Sequence, residues 1–175
     1  ITTNPIVEIS KDFYGNSVGN FNILAPHKEM IIESRMLVQV NHSLKIPEMD
    51  TAKVQDLEIE KSNNSSLLRL CYPENITHQK KIDAFLKKIN AANIPLIEIA
   101  QKCSEYIFKN FTYTKGITNI ETTVDEILVH KKGVCQDFAH VLLQFLRTAG
   151  IPSRYVSGYI CPNAVGFRGE GATHA

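Results

Sequence analysis

Two textures of hydrophobic patterning meet near residue 73. Upstream of it, short apolar runs alternate with polar positions: Ile6 to Ile9, Phe21 to Leu24, and then Met30, Ile32, Met36, Val38 and Val40. Gly15-Asn16, Gly19-Asn20 and Asn41-His42-Ser43 interrupt these runs. A period of two broken by Gly and Asn predicts antiparallel β-structure. Val54 to Lys61 and Leu67 to Cys71 extend the series on either side of a Ser/Asn-rich stretch, Ser62 to Ser66, that reads as an exposed loop. Residues 1–72 are therefore expected to form an N-terminal β-rich domain, sandwich-like, incomplete at its N-terminus and supporting in role.

After Pro73 the period becomes helical. Ile82, Phe85, Leu86 and Ile89 make one stripe, and Ile94, Ile97, Cys103, Ile107 and Phe108 make a second in a helix expected to start at Pro95. Thr122 or Thr123 is placed to cap a shorter helix through Val124, Ile127 and Leu128, with Asp125 and Glu126 favourable in its first turn. A third stripe, Phe138, Leu142, Phe145, Leu146 and Ala149, starts from Cys135 and stops at Gly150-Ile151-Pro152. Arg154 to Ile160 then alternates like a strand. The fold class is α+β, with helices packed on an antiparallel sheet over residues 73–175.

This pattern puts a thiol in the first turn of a helix. Unpaired N–H groups and the positive end of the helix dipole favour an anion there, and the thiolate is the reactive form of cysteine. Position alone leaves two readings open, a nucleophile or one more buried thiol. A nucleophile needs a base. His140 lies five residues on, about 500° of helical rotation, so it points away from Cys135. His174, in a segment able to open a strand after a glycine-rich loop, is better placed, whereas His27, His42, His78 and His130 read as surface residues.

Charge and cysteine usage narrow the function classes. Nineteen basic and eighteen acidic residues give a net charge of +1, with no basic stripe for nucleic acid. No apolar stretch is long enough to span a membrane and no signal peptide is visible, although the chain starts at Ile1. The four cysteines, at 71, 103, 135 and 161, show neither zinc-site spacing nor a disulfide framework, so free thiols in a cytoplasmic, reducing compartment are expected, with no metal and no cofactor. Gly166, Gly169 and Gly171 do not form a dinucleotide fingerprint and read as a loop beside the site.

The run Gly133-Val134-Cys135-Gln136-Asp137-Phe138-Ala139-His140 through Arg154-Tyr155-Val156-Ser157-Gly158-Tyr159, followed by Gly171-Ala172-Thr173-His174-Ala175, resembles the core of the bacterial transglutaminase-like family, within the papain-like superfamily. Phe111-Thr112-Tyr113, Thr118 and Thr122 to Leu128 resemble the segment before that family's nucleophile, and Asp12 to Asn16 with Pro26-His27 resembles its N-terminal β-rich domain. The resemblance implies Cys135 as nucleophile, His174 as general base and acid, and an aspartate on the next strand as third member. The sequence stops at Ala175, so that aspartate and the family's last strands are expected beyond a truncated end.

The implied chemistry is acyl transfer from a peptide or isopeptide amide, ending in hydrolysis or transamidation. The substrate is a protein or peptide. Backbone N–H of Cys135 is one oxyanion donor, with a second expected from Gln136 or the Tyr113 region and Asp137 in support. An Asp137–Arg154 pair is expected to fix the helix on the following strand. Tyr155 and Tyr159 share a strand face and, with Arg168, are candidates to line the cleft. The alternative is a catalytically inactive relative serving as a binding or scaffold module. Nothing in the residues sets the oligomeric state.

Overall fold

The computed structural model describes residues 5–31, 51–119, 121–160 and 172–174, with 159, 160 and 172–174 described by backbone alone. The chain divides into two compact units, Ile1–Leu44 and Lys45–Ala175.

In the first unit, β1 (Glu8–Lys11) and β2 (Ser17–Asn20) form an antiparallel hairpin in the register Glu8↔Asn20 to Lys11↔Ser17. Asp12 builds its turn. Its Oδ1 accepts from the N–H groups of Tyr14 and Asn16, both at 2.8 Å, and Gly15 takes the left-handed conformation (φ 79°) that a side chain would resist. The expected sandwich is thus represented, among the described residues, by one two-stranded hairpin. Phe21 to Leu24 is not a strand, and most of the Met30 to Val40 alternation lies outside the described residues.

The second unit begins earlier than the change in texture at 73 suggested. Val54 to Lys61, read as part of a β-rich series, lies in a helix, α1 (Val54–Asn63), and α2 (Ser65–Arg69) follows after Asn64 alone. The reason is visible in the spacing. Val54, Leu57 and Lys61 sit at i, i+3 and i+7 and turn inward together, with Lys61 only 7% exposed. Its Nζ bonds Glu58 and approaches Gly150 O at 3.5 Å. Ser62 to Ser66 is accordingly a helix junction and not a loop. The Asn64 side chain caps α2 by accepting from Ser66 N at 3.0 Å. Leu96 N donates to Ala52 O at 2.8 Å and Ser153 N to Leu70 O at 2.9 Å, so residues 51–72 are tied to the helical part of the chain downstream of Pro73.

The remaining elements are α3 (Gln79–Lys88), α4 (Leu96–Asn110), β3 (Thr112–Tyr113), α5 (Val124–His130), β4 (Lys132–Gly133), α6 (Cys135–Thr148), β5 (Gly158–Ile160) and β6 (Ala172–His174). Helix α6 is the hub, contacting α3, α4 and α5. Its Val141 and Phe145 meet Ile82 and Leu86 of α3, Ile99, Cys103 and Ile107 of α4, and Val124, Ile127 and Leu128 of α5 in one apolar cluster. Phe145 carries Phe85 edge-on at 5.3 Å and Tyr106 at 5.7 Å between ring centroids. The stripe expected on α4 is one step off at its end: Phe108 is 86% exposed and Ile99 is fully buried.

Helix ends follow their chemistry. Thr123 caps α5 in a box: Glu126 N donates to Thr123 Oγ1 at 3.3 Å, and Thr123 N donates to Glu126 Oε2 at 2.8 Å. Lys131 takes a left-handed conformation that ends α5 and turns the chain into β4. Gly150 (φ 82°) ends α6, and the Ile151 N–H returns to Leu146 O at 2.9 Å. The strand expected over Arg154 to Ile160 shortens to β5. Upstream of it, the Arg147 guanidinium holds Ser153 O at 3.0 and 3.2 Å, keeping that connection against the end of α6.

Candidate active site

Cys135 is the first residue of α6, half-buried and unpaired with another cysteine. Burial pushes the Cys103 thiol up to about 12, and burial raises Cys71 as well, against an opposing pull from Lys61. Neither is suited to be a thiolate.

The segment before Cys135 is held on two sides. β4 pairs in parallel with β3, Thr112↔Lys132 and Tyr113↔Gly133, and the ladder runs on through Thr112 N to Lys131 O at 2.8 Å and Thr114 N to Gly133 O at 2.9 Å. This ladder sets Tyr113, half-exposed, beside the residue two positions before the thiol. On the other side Asp137, third residue of the helix, turns back over its N-terminus. A single oxygen, Oδ2, accepts from Val134 N at 2.7 Å and from Thr118 Oγ1 at 2.8 Å. The carboxylate satisfies the N-cap N–H and adds negative charge where the helix dipole favours it. Gly133 makes room for it.

The Asp137 carboxylate therefore serves Val134 and Thr118, not Arg154. Arg154 is exposed, and the expected Asp137–Arg154 pair is replaced by a bond to a threonine 19 residues upstream. The signal for this was present only as a hydroxyl in a loop before the helix, which spacing alone does not single out. Gln136 is exposed at the second position of α6, beside the N–H groups of the first turn. His140, set aside on helical geometry, stacks on Tyr155 with ring centroids 5.2 Å apart and planes at 19°. Tyr155, proposed for the cleft, thus covers His140.

His174 lies in β6. Its backbone pairs antiparallel with Gly158 of β5, and Tyr159 pairs with Thr173. The side chains of His174 and Tyr159, and the whole of Arg168, lie outside the described residues, so the expectations for them rest on the sequence.

A second histidine is better partnered than its surface reading allowed. His78 Nδ1 lies 2.9 Å from Asp125 Oδ1, and the same carboxylate accepts the backbone N–H groups of Thr77 at 2.7 Å and His78 at 2.9 Å. The Thr77 N–H foremost, with His78, holds the Asp125 carboxyl down to about 2. This pair joins the start of α3 to the first turn of α5 and is a structural clamp. Among the described residues no group of three His, Cys, Asp or Glu side chains is placed to hold a metal ion, and no helix is long and apolar enough to cross a membrane.

Comparison with known proteins places these features in a family context. The model of the transglutaminase-like superfamily matches residues 83–175, which include Cys135 and His174. An uncharacterized protein of Mycobacterium tuberculosis is 33% identical over 181 residues, covering 95% of this chain and 55% of that protein. One of Mycobacterium leprae is 29% identical over 169 residues, covering 94% and 59%. YebA of Bacillus subtilis, also uncharacterized, is 28% identical over 152 residues, or 81% of this chain and 20% of its own length. The chain thus spans little more than half the length of the mycobacterial relatives. The crystal structure of a candidate cysteine protease from Cytophaga hutchinsonii shares the fold, with a TM-score of 0.51 and 24% identity over 73% of this chain and 40% of that one.

Proposed function

Since this chain belongs to the transglutaminase-like superfamily, we propose that it performs thiol-dependent acyl transfer on peptide or isopeptide amides, with Cys135 as nucleophile and His174 as general base and acid. The observation that carries the reading is the place of Cys135. It is a half-buried, unpaired thiol at the first position of the hub helix, where helix N–H groups have no intrahelical partner.

His174 takes the thiol proton and the thiolate sulfur attacks the amide carbon. The carbon–oxygen π pair moves to oxygen, which the Cys135 N–H and a donor from Gln136 or the Tyr113 region receive. Collapse breaks the carbon–nitrogen bond, the amine leaves with the proton from His174, and a thioester to Cys135 remains. Water or an amine then attacks the thioester, gives its proton to His174 and releases the thiol. Water makes the protein a protease or amidase, an amine a transglutaminase.

Alkylation by iodoacetamide at about pH 6.5, mapped by peptide mass spectrometry, tests the first step. Cys135 is expected to react at least about tenfold faster than Cys71, with Cys103 protected until the fold opens. Equal rates at Cys135 and Cys71 sink the nucleophile assignment. Incubation with dimethylcasein and a fluorescent primary amine then separates the outcomes, incorporation marking transamidation and new peptide termini marking hydrolysis. Cys135→Ala is expected to abolish whichever occurs.

A further inference from the structure

Helices α3 and α4 both dock on α6, and a cleft of about 510 Å³ remains between them. Its floor is aromatic. Phe85 of α3 and Tyr106 of α4, both half-buried, lie 4.4 Å apart between ring centroids, and each rests against Phe145 of α6. Lysines make the rim: Lys81 and Lys88 on α3, Lys102 and Lys109 on α4. The two lysines of each helix are seven residues apart, about 10 Å along its axis, so the rim runs for about two turns.

The surrounding carboxylates leave this rim cationic. Among the described residues Glu105 is the one acid lining the cleft, and it pairs with Lys109 at 2.6 Å. Glu98, outside the lining, pairs with Lys102 at 3.3 Å. Lys81 and Lys88 have no ion-pair partner among the described residues. The one acid on α3, Asp83, accepts from Gln79 Nε2 at 2.9 Å and lines the neighbouring groove. With four lysines and one aspartate on α3, two lysines and two glutamates on α4, and no charged residue between the helices, this segment carries a net charge of +3. A positive rim draws carboxylates on approach, and the half-buried rings beneath it offer apolar area to cover once they arrive.

We propose that this cleft docks an acidic segment of a partner protein, which seats an apolar side chain on Phe85 and Tyr106 between carboxylates that reach the lysines. A phosphate polyanion fits it less well, because the described lining holds no arginine, whose planar fork matches phosphate. The inference stands apart from the acyl-transfer reading, since none of these residues belongs to that site.

Fluorescence anisotropy of a fluorescein-labelled, glutamate-rich peptide with one central phenylalanine, titrated with the full chain, tests it. Physiological ionic strength is used, so that charges outside the cleft are largely screened. The unaltered protein is expected to bind, and K81E/K88E to weaken binding at least about tenfold. K80E/K87E makes the same charge change in the first and last turns of α3 at lysines that do not line the cleft, and is expected to weaken binding less than about threefold. Both variants are checked as folded by circular dichroism. Exchanging the peptide's phenylalanine for serine is expected to cost about fivefold or more. No binding by the unaltered protein, or equal losses in the two folded double variants, overturns the docking site. Equal binding of the serine peptide overturns the seat on Phe85 and Tyr106. Tighter binding of oligothymidylate or of phosphatidylserine vesicles, lost in K81E/K88E, overturns the choice of an acidic protein segment.

Discussion

Gly133 and Asp137 are in contact so close that a side chain at 133 would collide with the one at 137. A Cβ built on Gly133 would stand 2.7 Å from Asp137 Oδ2 and 2.9 Å from Asp137 Cβ. The glycine of the Gly-Val-Cys-Gln-Asp run is therefore required by the carboxylate four residues later, not by an unusual backbone angle.

Gly133→Ala is expected to push the Asp137 carboxylate off Val134 N and Thr118, destabilising the protein by about 1–3 kcal/mol as overpacking does. Urea denaturation measures the loss. The double variant Gly133→Ala/Asp137→Ala, which has no carboxylate left to displace, should lose clearly less than the two single losses added together.

The His78–Asp125 clamp makes a pH prediction. The folded Asp125 carboxyl is depressed to about 2, so its stabilisation is present above the ordinary aspartate range near pH 4 and is lost as pH falls from there through about 2. The melting temperature of the unaltered protein should drop over that window more steeply than that of Asp125→Asn, and parallel curves would remove Asp125 from the acid response.

The register of α4 is testable by a pair of substitutions. Ile99 is fully buried and Phe108 is 86% exposed. Ile99→Ala should cost about 2–5 kcal/mol, and Phe108→Ser should fall within about 0.5 kcal/mol of neutral. Chemical denaturation of both variants would expose an inverted order at once.

The α3, α5 and α6 helices were legible because their stripes and stops agree: Ile82 with Leu86, Thr123 with Glu126, and Phe138 to Leu146 ending at Gly150. Phe108 misled because an aromatic residue one step beyond Ile107 fits an apolar run as well as a stripe, and only packing decides which of them turns inward. Val54 to Lys61 misled more thoroughly. Its inward face ends in Lys61, a lysine that hydropathy assigns to solvent but that reaches the carbonyl of Gly150 at the end of α6. The place of the thiol at a helix start could be read from local spacing. The Thr118–Asp137 bond could not, since loop geometry alone brings that hydroxyl to the helix.

The β5–β6 ladder puts His174 under a rule of parity. Successive residues of a strand alternate in parity, so the Gly158↔His174 and Tyr159↔Thr173 pairings fix the backbone positions of His174 and Thr173 at opposite parities. A slip of one residue would carry the base to the far side of the sheet with every bond of the protein chain intact. On the proposed mechanism the enzyme's competence is then counted in whole residues of register: a three-residue strand, by pairing as it does, decides whether the thiol has a base at all.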